Sequence, residues 1–481
     1  MRISQSFQLG RTQHELDFVD IDPSGDIPLF LDPYFLSTRN DPWSIEATGT
    51  IRSFFQYLIE LLSVGNLAEG QRIFTHLGEP NETCLGMSKG PPSGRGVGPE
   101  NTNELLERIV ESRAIETGLV ADIEDCIVFV DGIGKDKLSD MTTNIIKRHL
   151  ITYTQAQCRL WDIPLQGDVP SGFFWERRHR DWQNIHTEML VINSRKILLV
   201  PKGTVSYSQG YTPDKYHQHF VLNFLQHEHL RLNSALVKRV RRKDGTERVY
   251  VTKKDIEEYE APLSKAFLRE FTANHPQVFA EFRENARDYI SPLSNDELGE
   301  QDVGQIIDYL IGQLETIPAG PNNASQYHRL VVGILELIFY PDLICPQVER
   351  EIHFGRKRID ITYDNAANGG FFYRLHRVHQ ISCPYIFVEC KNYSSDPTNP
   401  ELDQLAGRFS PNRGRFGLLL CRTIENMNLF LARCADTYRD DRGAIIPLVD
   451  SDLLHLLNRV RQKEGSPDEL LSDRLRAIIL T

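Results

Sequence analysis

A chain of 481 residues allows about three domains and a sizeable core, and its 40% hydrophobic, 25% charged composition excludes wholesale disorder. With 54 Lys and Arg against 66 Asp and Glu, the net charge of −12 excludes attachment to nucleic acid by overall charge. Any such contact needs a local basic surface. The stretch from Pro321 to Thr481 carries 20 acidic and 20 basic side chains, so the whole deficit lies before it.

The opening MRISQSFQLGRTQHELD lacks the apolar stretch of a signal peptide. No apolar run approaches the roughly 18 residues that cross a bilayer. Eight cysteines form no Cys-x-x-Cys pair and no zinc array. A cytoplasmic protein with reduced thiols and no membrane partner is expected.

Residues 1–40 alternate and turn in the manner of short strands. Ser44 to Val64 has helical apolar spacing, with Ser44 as the expected N-cap. Residues 78–100 are a Gly/Pro-rich loop and Asn101 to Glu116 a helix. CIVFV at 126–130 reads as a short strand, followed by a helix from Ser139. EMLVI (188–192) and KILLV (196–200) read as a strand pair around Asn193-Ser194-Arg195. A helix is expected over 214–236 and a hairpin over 238–253, turning at Asp244-Gly245. Helices near 262–285 and 298–316 close this region. The polar, Pro/Gly-rich segment 318–325 is the linker candidate. It divides residues 1–317, with subdivisions at 1–210 and 211–317, from a domain over 326–481.

After it comes a helix, Gln326 to Phe339, then strands near 347–354 and 357–363 and a Gly/Asn-rich connection. A strong strand follows at 384–393, a helix from Pro400, a strand at 416–422, a helix around 425–438, a strand at 443–449 and a terminal helix. The class is α/β (α+β): a mixed sheet flanked by helices, preceded by a larger α+β region.

Charged residues in this third stand where strands should be apolar. Asp360 lies between Ile359 and Ile361, and alternation puts Arg358, Asp360 and Thr362 on one face. Glu389 and Lys391, two apart in YIFVECKNY, also share a face. Ions at the end of a buried strand cost several kcal/mol each unless paired or bound to metal. A divalent cation relieves the repulsion of two converging carboxylates, and hard oxygen ligands favour Mg²⁺. A buried salt bridge of Lys391 with Asp360 or Glu389 is the other reading.

These residues resemble the PD-(D/E)xK nuclease superfamily, the fold of restriction endonucleases, over about 325–450. The pattern is an acid on a helix, an Asp on a strand, Glu-x-Lys on the next strand, and often a Gln on the following helix. Glu336, Asp360, Glu389-Cys390-Lys391 and Gln404 match it. The literal Pro341-Asp342 follows the helix rather than a strand, so Asp360 is the better ligand. The resemblance implies Mg²⁺-dependent phosphodiester hydrolysis, with Mn²⁺ as substitute. It implies that Asp360, Glu389 and the Cys390 carbonyl hold the metal and that Lys391 activates water. Glu336 is then an acid for a second metal or a metal-bound water, and Gln404 an orienting group.

Between 350 and 415 ten bases face seven acids, and two of those acids are the proposed ligands. Arg358, Arg408, Arg413 and Arg415 are candidate phosphate contacts, against the alternative of a solvated loop. The run Gly86 to Gly98 and Asp131-Gly-Ile-Gly-Lys135 lack phosphate-loop order. His217/His219 and His227/His229 read as surface histidines, because residues two apart on a helix diverge. The basic run Lys238 to Lys243 either tracks a nucleic-acid backbone or is solvated charge. LFLDPYFL, GKDKLSDMTTNII, YTQAQC and ILLVPK loosely resemble a region of uncharacterised bacterial proteins, which implies a regulatory or recognition role and no activity.

The expected function is a Mg²⁺-dependent DNA endonuclease acting against phage or plasmid DNA. The alternatives are a non-catalytic DNA-binding protein on a nuclease fold, or a ribonuclease or nuclease toxin controlled by residues 1–317 or by a partner. A homodimer and partner proteins from the same defence locus are the further expectations.

Overall fold

The structure is a computed structural model that describes residues 1–87, 99–208, 210–244, 246–352, 357–463 and 465–480. It is mixed α/β, with a five-stranded sheet in the C-terminal third. Among the described residues no helix is long and apolar enough to cross a membrane. All eight cysteines are free and buried.

The strands expected over residues 1–40 reduce to Phe30–Leu31, which pairs with Val205–Ser206. The helix Pro33–Thr38 follows directly, because the Asp32 carboxylate accepts the N–H groups of Tyr34 and Phe35. The long helix is Pro42–Ser63, and its cap is Asp41, not Ser44. Asp41 accepts the Ser44 N–H, and Pro42 presets the first turn. Ile51, Phe54, Phe55 and Leu58 form its buried stripe.

CIVFV is a helical turn, Cys126–Phe129, and not a strand. Every residue of that run is buried, so no alternation distinguishes the two states. The Asp125 carboxylate decides it by accepting the Ala121 and Asp122 N–H groups and winding the chain ahead of the run. The expected strand pair is present as His186–Ile192 and Arg195–Ile197. Asn193 and Ser194, at φ 49° and 63°, make the tight turn between them. Residues 213–232 wind helically through a π-turn at His217–Val221. His217 is not at the surface: it is fully buried, with Nε2 2.8 Å from the Ala261 carbonyl oxygen. Most of the run Gly86 to Gly98, and Gly245 of the hairpin turn, lie outside the described residues.

Asp26, Glu79, Asp136 and Asp140 line one small recess. Burial, then Asp136, Glu79 and Asp26, push the Asp140 carboxyl up to about 8. A carboxyl raised on folding contributes stability that is full below its unfolded pKa of about 4 and lost as pH rises through the folded value. Asp140→Asn is therefore expected to be more stable than the wild type, by a margin that widens between about pH 5 and pH 8. Melting temperatures across that range check it; a margin independent of pH would contradict the placement.

The C-terminal third opens with α1, Ala324–Phe339. The sheet follows as β1 (Leu343–Ile352), β2 (Lys357–Asn365), β3 (Tyr385–Lys391), β4 (Phe416–Cys421) and β5 (Ala444–Val449), neighbouring in that order. β1, β2 and β3 run antiparallel, whereas β3, β4 and β5 are parallel. β4 and β5 are buried throughout, which explains their unbroken apolar runs. Two helices cross the parallel strands: α3, Asn399–Ala406, and α4, Met427–Arg439. The α2 helix, Gly370–Arg377, sits inside the connection expected to be irregular. The chain ends in two helices, α5 (Asp450–Gln462) and α6 (Asp468–Leu480), rather than one.

The segment 318–325 is not a free tether. Gly320 donates its N–H to the Asn392 carbonyl, and the Asn392 side chain donates to the Pro318 and Gly320 carbonyls. Other contacts also join the two sides: the Gln157 side chain donates to the Pro346 carbonyl, and the Trp43 N–H to Asp364. Apolar packing continues from Ile3 to Ile478 in one cluster.

Candidate active site

The sheet changes from antiparallel to parallel at β3, and the polar cluster lies at the carboxyl end of that strand. In open α/β sheets this edge is where ligands collect. β2 and β3 stay paired from Asp364 opposite Tyr385 to Ile361 opposite Val388. Beyond that point Asp360 uses its carboxylate instead: Oδ2 accepts the Cys390 N–H at 3.0 Å. A backbone donor at the end of the ladder is satisfied in this way, and the Asp360 carboxyl is fixed beside Glu389 and Lys391.

Glu389 is fully buried and Lys391 8% exposed. Their shared face is realised as an ion pair, Lys391 Nζ to Glu389 Oε1 at 2.7 Å. Lys391 Nζ also donates to Gln404 Oε1 on α3 at 3.1 Å and lies 5.8 Å from the Tyr393 ring centroid. Four of the expected residues, Asp360, Glu389, Lys391 and Gln404, are therefore gathered at one place.

Arg408 joins them in an unexpected role. It was expected as a phosphate contact; its side chain is 6% exposed and pairs with Glu389 Oε2. Burial lowers its pKa, and neighbouring Asp360 opposes that shift. The chain leaves α3 at Gly407, and the next residue after Arg408, Phe409, stacks on Phe387 of β3. Arg408 thus answers the negative charge of both carboxylates.

Arg413 and Arg415 are elsewhere. Gly414 between them packs against Ser382 and the Tyr385 carbonyl, at the start of β3, and Arg415 pairs with Asp441. These two candidate phosphate contacts lie at the opposite end of the sheet from Lys391, away from the cluster. Asp342 sits at that far end too, because Leu343 pairs with Asn365. The side chain of Arg358 lies outside the described residues.

Glu336 is also displaced from the group. Its face of α1, shared with Gly333, is packed against residues 11–15 and Lys202. The carboxylate pairs with Lys202 at 3.4 Å, both side chains being fully buried. Burial and nearby Asp17 push its pKa well above the usual carboxylate range. A catalytic acid was expected there; the contacts are those of a buried structural ion pair.

Several polar residues at the same edge escaped the sequence reading. Arg422, directly after β4, pairs with Asp450 at 2.9 Å, and Asp450 accepts the Tyr327 hydroxyl at 2.9 Å. Burial raises the Asp450 carboxyl to about 6. The available signal was a charged residue directly after a fully apolar strand, whereas Glu389 was marked by standing inside one.

Among the described residues no group of three or more His, Cys, Asp and Glu side chains is placed to hold a metal ion. A hard cation here would draw on two carboxylates, Asp360 and Glu389, with the Cys390 carbonyl. That donor set suits Mg²⁺, which takes one or two carboxylates and keeps water for its other positions. The Cys390 side chain alternates to the other face of β3 from Glu389 and Lys391, and burial and Asp360 push its thiol pKa well up.

A family model described as a domain of unknown function (DUF8370) matches residues 8–212. The chain is similar to that family over this segment, which contains the four stretches LFLDPYFL to ILLVPK and none of the cluster at Glu389. No curated protein matches, and no solved structure matches.

Proposed function

We propose that the chain is a Mg²⁺-dependent endonuclease of the PD-(D/E)xK kind that hydrolyses DNA phosphodiester bonds in the cytoplasm, with Mn²⁺ as substitute. The observation that carries this reading is the meeting of Asp360, Glu389, Lys391 and Gln404 at the carboxyl end of β3. The defence role against phage or plasmid DNA rests on the resemblance to restriction-type nucleases.

Bound Mg²⁺ would supply polarisation of the phosphoryl oxygen and a water more acidic than bulk water. Asp360, Glu389 and the Cys390 carbonyl would hold it. Gln404 and Glu389 orient the Lys391 ammonium, which would hold the attacking water and meet charge developing on the phosphate. Arg408 sets a second positive charge against the Glu389 carboxylate.

The double pairing of Glu389 favours a second reading, a DNA-binding protein that does not cut. Supercoiled plasmid, linear DNA and RNA incubated with Mg²⁺, Mn²⁺ or a chelator separate the two. New DNA ends in either metal and none in chelator are expected. Salt-sensitive binding with no new ends supports the second reading, and cleavage of RNA alone makes the substrate RNA.

A further inference from the structure

We propose that the hairpin over residues 238–250 is an arm that binds the phosphates of duplex nucleic acid, separate from the cluster at Glu389 and Lys391. The strands Lys238–Arg241 and Glu247–Tyr250 form a two-stranded sheet of their own, with Lys238 opposite Tyr250 and Arg241 opposite Glu247. All their residues are exposed except Tyr250, which is half-buried. An isolated two-stranded ribbon is marginal in water, and this one leaves Val240 49% and Val249 42% exposed. It has no core-facing side to account for its presence.

Among the described residues, its ion pair and side-chain hydrogen bond to the rest of the protein lie at its base. Lys238 pairs with Asp255 at 2.6 Å, and Arg239 donates to the Asn233 side chain at 2.7 Å. Towards the tip, Arg241, Arg242 and Lys243 have no ion-pair partner among the described residues. The two acids of the hairpin are otherwise engaged: Asp244 accepts from Thr246 in the turn, and Glu247 lies 3.7 Å from Arg239. Six bases against two acids therefore stand on a projection of a protein whose net charge is −12. Adjacent like charges repel, and a polyanion removes that repulsion. Arginine forks match phosphate oxygens, and a two-stranded ribbon has the width of a DNA major groove. The tip from Arg242 to Thr246 carries no aromatic or aliphatic side chain to enter a lipid surface, which disfavours a membrane.

The test compares the full-length wild type with a triple variant, Arg241→Gln, Arg242→Gln and Lys243→Gln. The probe is a fluorescein-labelled DNA duplex of about 25 base pairs, in chelator so that nothing is cut, at about 50 to 250 mM salt. The variant is expected to bind at least about tenfold more weakly at the lowest salt, with a log–log salt slope shallower by about two to three. Unchanged affinity and slope overturn the proposal. So does loss of binding to phosphatidylserine vesicles with duplex binding intact. Circular dichroism checks that the exposed substitutions leave the fold unchanged. The outcome is separable from the nuclease reading: hairpin-dependent binding without Mg²⁺-dependent ends keeps the arm and sinks the nuclease. Cleavage by the wild type with unaltered binding by the variant does the reverse.

Discussion

Lys391→Ala is expected to abolish Mg²⁺-dependent DNA cleavage while the protein stays folded, and Asp360→Ala to do the same. Lys391 is the cation on which Glu389 and Gln404 converge, and no other lysine touches the cluster among the described residues. Removing one positioned donor that meets developing charge slows the chemical step by at least about 100-fold. The fold survives because Glu389 keeps the Arg408 guanidinium, so its buried carboxylate is not left alone. Asp360→Ala removes one metal carboxylate and leaves the Cys390 N–H at the sheet edge without its acceptor, at a cost of about 1–3 kcal/mol, within reach of the whole core to absorb. Plasmid nicking rates and thermal unfolding measured side by side check both claims. Wild-type cutting by both variants would show that the cluster is a structural ion pair.

Lys202→Ala is expected to have the largest effect on stability. Lys202 is completely buried, 3.4 Å from Glu336, 3.0 Å from Asn295 Oδ1 and 4.1 Å from the centroid of the Tyr340 ring. Burial drives it towards its neutral form, and Glu336 and Asp17 oppose that. Among the described residues neither Glu336 oxygen has a hydrogen bond besides this ion pair. Taking away one partner strands a buried charge, which costs about 3–5 kcal/mol. Pairing Lys202→Met with Glu336→Gln removes both charges and should recover most of the loss. Urea unfolding of the three forms decides it; a single variant as stable as the double would mean that the pair contributes nothing. The pair bridges the segment before residue 212 and α1, so removing residues 1–317 would uncover Glu336 and the face around Gly333.

The C-terminal sheet was legible in the sequence because β4 and β5 are continuous apolar runs and β3 breaks its run only at Glu389 and Lys391. Period-two alternation correctly put those two on one face, since it depends on nothing beyond the pleat. Capping at Asp41 was misread by three residues, as Ser44 offers an equally good capping side chain in isolation. CIVFV was ambiguous on principle, a run buried on all sides having no period to read.

Local pattern thus determined the strands, the Glu389–Lys391 pair and the candidacy of Asp360 and Gln404, all set by spacing along the chain. Tertiary structure alone decided which charges meet. Arg408 turns inward to Glu389, Arg413 and Arg415 go to the far end of the sheet, and Glu336 faces Lys202, more than a hundred residues away in sequence. The physical reason is that a buried charge is stable only where an opposite charge reaches it, and which partner reaches it is fixed by how helices and strands pack, not by the residues beside it in the chain.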